Sequence, residues 1–154
     1  MFLYQSVERQ SLASALGGKT AKVLDVLDGD VGYGREFKVE KDFRTLVADV
    51  RKIFKTEKVL AYGQGRCSSL ATFCGSGGSH ALSCIKDGVT SADTVLTSDL
   101  AHHEIQELIE KNKKIIILPH YVAEEYGFKI FSERVKESLL NKVKTEYFCD
   151  ERFK

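Results

Sequence analysis

The chain has 154 residues, 43% of them hydrophobic and 29% charged, so it can bury one core and is too short for two ordinary domains. Its 23 basic and 22 acidic residues leave a net charge of +1, which excludes an overall field that attracts nucleic acid or an anionic membrane. The first residues lack a signal pattern, and no run of about 18 apolar residues occurs. We therefore expect one cytoplasmic domain spanning residues 1–154.

The predicted elements alternate between helix and strand. The clearest amphipathic helix follows Asp42, a good N-cap, and begins with Phe43. A shorter helix at residues 6–16 is closed by Gly17. Strands or extended segments are predicted at residues 22–27, 31–37, 58–62, 69–73, 94–96, 114–118 and 144–148, with a further helix at residues 128–140. This alternation predicts an α/β fold with a mixed, largely parallel sheet flanked by helices.

All four histidines follow predicted strands. His80, His102, His103 and His120 each lie at or near the start of the next helical stretch. The single proline, Pro119, ends its strand directly before His120. Ligands of open α/β folds bind at the carboxyl ends of the strands, so we expect the functional site at this edge.

The first candidate loop is rich in glycine. Its backbone N–H groups precede a helix N-terminus, which favours a phosphate or carboxylate. The sequence is neither a P-loop nor a dinucleotide fingerprint, and a tight strand-to-helix turn has the same composition. The candidate anion-binding residues are Gly75, Ser76, Gly77, Gly78 and Ser79.

The second candidate loop contains a carboxylate and two imidazoles. Asp99 is expected to cap the next helix and to face His103, which follows four residues later. Such a carboxylate can orient a histidine as a metal ligand or as a base. A capping aspartate followed by solvated histidines, His102 included, is the simpler alternative.

The third candidate loop contains His120 and Glu124. Residues four apart on a new helix project from one face, and an imidazole nitrogen with a carboxylate oxygen suits a divalent cation. Such pairs also form ordinary surface hydrogen bonds. Its position directly after an apolar strand and a proline favours the metal interpretation.

The four cysteines show neither Cys-x-x-Cys spacing nor the density of a disulfide scaffold. We expect free thiols, with Cys84 and Cys149 buried.

Taken in order, these motifs resemble the Nif-three-like family, also known as NGG-one-interacting factor and as GTP cyclohydrolase I type 2. The motifs are Gly-Tyr-Gly-Arg at residues 32–35, Cys-Gly-Ser-Gly-Gly-Ser at 74–79, Ala-Asp-Thr-Val-Leu-Thr-Ser-Asp at 92–99 and His-Tyr-Val-Ala-Glu at 120–124. The resemblance implies an α/β fold, homo-oligomers from a dimer up to a hexameric ring, and a dinuclear metal site. The family's C-terminal ligands fall on His120 and Glu124, its loop histidine falls on His103, and His102 is an extra.

The chain also departs from the family pattern. The N-terminal His-His pair and the later His-Thr-x-Leu-Asp segment, which supply the remaining ligands, have no counterpart here. Pro119 and Ser98 replace two family glycines. We expect either the C-terminal part of a longer protein or a shortened member without a full dinuclear site.

The number of ligands separates the candidate functions. A catalytic divalent metal needs about three protein ligands, and the resemblance supplies two, with His103, His102 and Asp99 as orienting or substitute groups. We expect a degenerate or partial metal-site homologue that acts as an oligomeric binding or scaffold protein. Zn, Fe and Mn are the candidate metals for the ligands that remain, without a full dinuclear site. The alternatives are a metal-dependent hydrolase of the cyclohydrolase type, acting on a nucleotide or related small molecule, and a mononuclear-metal or phosphate binder that uses the loop at residues 75–79.

Overall fold

Six strands form one mixed sheet in the computed structural model, which describes residues 12–29, 31–139 and 142–150. The strands are β1 (Lys19–Asp28), β2 (Val31–Asp42), β3 (Leu60–Tyr62), β4 (Arg66–Phe73), β5 (Thr94–Thr97) and β6 (Lys114–Ile117). The helices are α1 (Phe43–Phe54), α2 (Gly78–Lys86), α3 (His102–Glu110) and α4 (His120–Ser138). Residues 12–15 add a short helical segment.

The spatial order of the strands is β1-β2-β4-β5-β6-β3. Parallel pairing is confined to β4, β5 and β6, which follow one another through α2 and α3. The other three pairings are antiparallel. They join β1 to β2 in a hairpin, β2 to β4, and β3 to β6. The predicted mixed α/β sheet is confirmed, with the parallel strands at its centre.

Helices cover both faces of the central strands. Alternate residues of a strand point to opposite faces, so Leu70 and Ala71 enter different cores. The core beneath α1 and α4 includes Leu46, Val50, Leu70, Leu96, Ile116 and Val122. The core beneath α2 and α3 includes Ala71, Phe73, Ala81, Val95, Leu108 and Ile115.

Helix α1 forms as its sequence predicts. The Asp42 carboxylate accepts a hydrogen bond of 2.9 Å from the backbone N–H of Arg44, and Lys55 ends the helix with a φ of +52°. Its buried residues recur at helical spacing from Phe43 to Phe54.

The C-terminal predictions were partly wrong. Helix α4 begins at His120, eight residues before the predicted start, and has 19 residues. The predicted strand at residues 144–148 is absent, and residues 142–150 contain no helix or strand. This segment is held by side chains instead: the backbone N–H of Asp150 donates to the Tyr121 hydroxyl at 2.9 Å. Most of the helix predicted at residues 6–16 lies outside the described residues.

All four cysteines are free thiols, as expected. Burial raises the pKa of the Cys84 thiol, whereas Cys149 is only half-buried and donates to Glu125 at 2.7 Å. Among the described residues, no helix is both long and apolar enough to cross a membrane.

Candidate functional site

The three candidate loops follow the three central strands. They begin after Phe73 on β4, Thr97 on β5 and Ile117 on β6. Because these strands are parallel neighbours, the loops share one edge of the sheet.

His120 lies at the centre of this edge. It is the first residue of α4, directly after Pro119, and its ring is held on both sides by carboxylates. Nδ1 contacts the Asp99 carboxylate, and Nε2 lies 3.0 Å from Oε1 of Glu124, one helical turn further on. The sequence prediction that His120 and Glu124 share one helix face is therefore confirmed.

Asp99 has a different role from the one expected. It neither caps α3 nor pairs with His103, since α3 begins at His102 and the Glu104 carboxylate accepts from the N–H of Ala101 at 2.7 Å. Asp99 has a φ of +45°, a conformation that aspartate tolerates better than most residues. The Asp99 carboxylate contacts His120 across the strand ends.

The other two predicted histidines do not join the cluster. His102 and His103 are exposed on the first turn of α3. Within the described ranges, no hydrogen bond or ion pair joins either of them to His120.

The glycines of the first loop allow close packing. A Cβ at Gly75, where φ is +65°, would lie 3.1 Å from Oε1 of Glu124 and 3.7 Å from Nε2 of His120. A Cβ at Gly77 would lie 2.7 Å from the Cβ of Phe73, and one at Gly78 would lie 2.9 Å from the carbonyl oxygen of Asp99. Ser76 and Ser79 are exposed. The glycines seat α2 against the strand ends and leave space beside His120.

The charges around His120 favour a cation. The hydrogen bond to Asp99 raises the pKa of His120 above its ordinary value, and Glu124 acts in the same direction, while partial burial opposes both. The side chains of Asp99, His120 and Glu124 are 52%, 38% and 43% exposed, so the group is open to solvent. Two carboxylates around one imidazolium leave a net negative charge that a metal ion can neutralise.

The geometry fits two ligands of a metal ion. Ligands about 2.0–2.2 Å from one ion and at a right angle to each other are about 3 Å apart, as are Nε2 of His120 and Oε1 of Glu124. Across the part of the chain that the structure describes, however, no group of three or more His, Cys, Asp or Glu side chains is arranged to hold a metal ion. The residues present therefore fit half of a metal site.

Sequence reasoning missed a second histidine cluster at this edge. Nδ1 of His80 lies 2.5 Å from Oδ2 of Asp25, and the His80 ring stacks on Tyr33 with centroids 4.1 Å apart and planes 17° apart. Asp25 and His80 are 55 positions apart, and no sequence spacing links them.

These features define an α/β protein with carboxylate-held imidazoles at the carboxyl edge of its sheet. The family model of Duf34/NIF3 (NGG1p interacting factor 3) matches residues 7–152, and the chain belongs to this family. No curated protein matches the chain.

Solved structures share this fold at low identity. Staphylococcus aureus protein SA1388 superposes with a TM-score of 0.73 and 14% identity, over 94% of this chain and 65% of that one. Reduced HcgD from Methanocaldococcus jannaschii gives a TM-score of 0.68 and 23% identity, over 90% and 52%. A Bacillus cereus protein related to NIF3 gives a TM-score of 0.64 and 17% identity, over 80% of this chain and 38% of that one. The match spans less than two thirds of the length of each of these proteins, and at such identities the likeness shows the fold.

Proposed function

We propose that this chain binds a divalent cation at a half-site formed by His120 and Glu124, and that this half-site serves binding and not self-contained metal-dependent hydrolysis. The observation that carries the proposal is the 3.0 Å separation of Nε2 of His120 from Oε1 of Glu124, with Nδ1 of the same ring held by Asp99.

The donor atoms match the chemistry of a borderline divalent ion. An imidazole nitrogen and a carboxylate oxygen suit Zn, Fe or Mn. Metal-ligating histidines almost always donate their other ring N–H to a carboxylate or carbonyl, the role that Asp99 has here. Gly75 supports the proposal because any larger residue would crowd Glu124.

Two protein ligands are too few for an independent catalytic centre. Hydrolysis of the GTP cyclohydrolase I type 2 kind needs about three ligands and an open position. His102 and His103 are the nearest candidates in the sequence, and both face solvent on α3. The geometry therefore favours cation-dependent binding over metal-dependent catalysis by this chain alone.

We propose that the chain is a homo-oligomer in which the half-site meets groups from a second copy. Support comes from the second half of α4 and the segment after it, which expose large apolar side chains. These side chains are Phe128 near the middle of α4, followed by Phe131, Leu139, Val143, Tyr147 and Phe148. Sedimentation velocity should give a mass well above 17.3 kDa, and a monomer at high concentration would exclude this part of the proposal.

Zinc binding tests the half-site. The chain is titrated with ZnCl₂ against a chromophoric indicator, beside His120→Gln, Glu124→Gln and the control His102→Gln, which removes an exposed imidazole from α3. The wild-type chain and His102→Gln should bind one zinc ion per chain. His120→Gln and Glu124→Gln should lose it, and equal zinc binding by all four proteins would refute the half-site.

A further inference from the structure

Asp25, Tyr33 and His80 form a second side-chain cluster at the edge that carries the half-site. β1 and β4 run in the same direction, since each is antiparallel to β2. Arg35 of β2 pairs with Thr72, the residue before the end of β4. The carboxyl end of β1 and the beginning of β2 therefore lie at the edge where β4 ends. Asp25 and Tyr33 are placed there by strand register, and His80 by the first turn of α2.

The hairpin is shaped to present this cluster. Asp25 interrupts the extended conformation of β1 with a φ of +49°, and non-glycine residues held in this region are enriched at functional sites. A Cβ at Gly32 would lie 2.7 Å and 2.8 Å from the carbonyl oxygens of Leu24 and Asp25. A Cβ at Gly34 would collide with the Phe73 ring. Tyr33 is thus presented between two positions that only glycine fills without rearrangement.

His80 has one nitrogen engaged and one open. Its Nδ1 is 2.5 Å from Oδ2 of Asp25, so a neutral ring that donates Nδ1–H carries its lone pair on Nε2. In the described segments, Nε2 has no protein hydrogen-bond partner. The side chains of His80 and Asp25 are 37% and 39% exposed, so a molecule from solvent can reach the pair.

We propose that His80 is a general base whose Nε2 takes a proton from a water molecule or hydroxyl group bound at this edge, with Asp25 as its positioning residue and Tyr33 as the surface that fixes the ring plane. As the O–H bond breaks, its electron pair stays on oxygen and forms the new bond to a carbonyl carbon of the substrate. The π pair of that carbonyl moves to its oxygen and then re-forms the double bond as the leaving group departs with the electron pair of its own bond. The proton passes to Nε2, and the Asp25 carboxylate balances the imidazolium charge.

The ligand class follows from the position of His80. His80 is five residues from Gly75, and five residues span at most about 18 Å of chain. Gly75 itself borders the half-site, because its Cβ would lie 3.1 Å from Glu124. His80 therefore lies close enough to the half-site for one small molecule to contact both, and the class that we propose is a small polar substrate with its carbonyl carbon beside His80. The proposal for His80 stands without a bound cation.

Hydrolysis of p-nitrophenyl acetate tests this base without a known substrate. Water attacks the ester carbonyl carbon, its proton goes to Nε2, and the electron pair of the broken ester bond leaves with p-nitrophenolate. The full chain is compared with His80→Gln, Asp25→Asn and the control His102→Gln at neutral pH. His80→Gln should lower the rate about a hundredfold, the lower end of what a positioned base contributes, and should abolish the solvent deuterium isotope effect. His102→Gln, which removes an exposed imidazole outside both clusters, should retain both.

Nitrogen-15 spectra of the histidine rings give a second readout that does not require a variant to remain active. Wild-type His80 should show the Nδ1–H tautomer, and Asp25→Asn should shift it toward Nε2–H. Equal rates in His80→Gln and His102→Gln, or an Nε2–H tautomer in the wild-type chain, would overturn the proposal. His80→Gln should still bind zinc, so failure of this base and failure of the His120 half-site are distinguishable.

Discussion

His80 and His120 are held alike and face different surroundings. Each lies in the first turn of a helix, and each presents Nδ1 to an aspartate with positive φ, +49° for Asp25 and +45° for Asp99. The second nitrogen of His120 lies 3.0 Å from Glu124, whereas that of His80 has no hydrogen-bond partner among the described residues.

The difference shows how one local arrangement gives two chemistries. A carboxylate behind an imidazole fixes its tautomer and its orientation in either case. A second carboxylate beside Nε2 creates a negative site that favours a cation. A stacked phenol ring beside the imidazole adds no charge and leaves Nε2 open to a molecule from solvent. What lies beside the second nitrogen therefore separates the two proposed roles.

The largest expected effect comes from a substitution that disturbs the contacts of His80 and of His120 at once. α2 carries His80, and a Cβ at its first residue, Gly78, would lie 2.9 Å from the carbonyl oxygen of Asp99. Gly77→Val would force a side chain into Phe73, whose Cβ would be 2.7 Å from the new Cβ. Overpacking of this kind costs about 1–3 kcal/mol. The free energy of unfolding in urea should fall by this amount, and the contacts of both histidines should weaken together. Unchanged stability would show that α2 is not seated by this glycine.

Asp99→Asn should affect the contacts of His120 and not those of His80. The amide keeps its size but loses the charge behind His120, and loss of such an orienting group typically costs about 10–100-fold in metal affinity. Zinc affinity should fall by that factor, while hydrolysis of p-nitrophenyl acetate through His80 should not change. Asp25→Asn is the matched control. It should leave zinc affinity unchanged and should slow the hydrolysis of p-nitrophenyl acetate.

Gly75→Ala tests the space beside Glu124. Its φ is +65°, so alanine is strained there, and the added Cβ would lie 3.1 Å from Oε1 of Glu124. Strain in this region costs about 1 kcal/mol or more. Gly88→Ala is the matched control, since its φ is +68° and no atom lies within 4 Å of its Cβ. Both variants should lose similar stability in thermal unfolding, and only Gly75→Ala should lose zinc affinity.

The smallest expected effect concerns the stacked rings. Tyr33→Leu removes an aromatic pair with centroids 4.1 Å apart, which is worth about 0.5–1.5 kcal/mol. Chemical denaturation should show this small loss, and ring signals of His80 should broaden while those of His120 stay sharp. Broadening of both would mean that the two pairs are coupled through α2.

Local patterns predicted much of the fold. The helix after Asp42, the central strands and the pair His120 and Glu124 all follow from spacing within one element. The alternating residues 144–148 suggested a strand, but a strand needs a neighbour, and Phe148 is 93% exposed.

The contacts of the two aspartates could not be predicted from spacing. Asp99 lies 21 positions from His120, and Asp25 lies 55 positions from His80. Both contacts depend on strand register and on a positive φ at the aspartate. Helix spacing, the only local guide in the sequence, pairs Asp99 with the nearer His103.

The most direct test of the cation half-site is a histidine nitrogen-15 spectrum of the full chain, recorded before and after one equivalent of Zn²⁺. The Nε2 signal of His120 should shift, and the ring signals of His80, His102 and His103 should stay in place. Zinc-induced shifts at His102 or His103 with an unchanged His120 would contradict the assignment of the half-site.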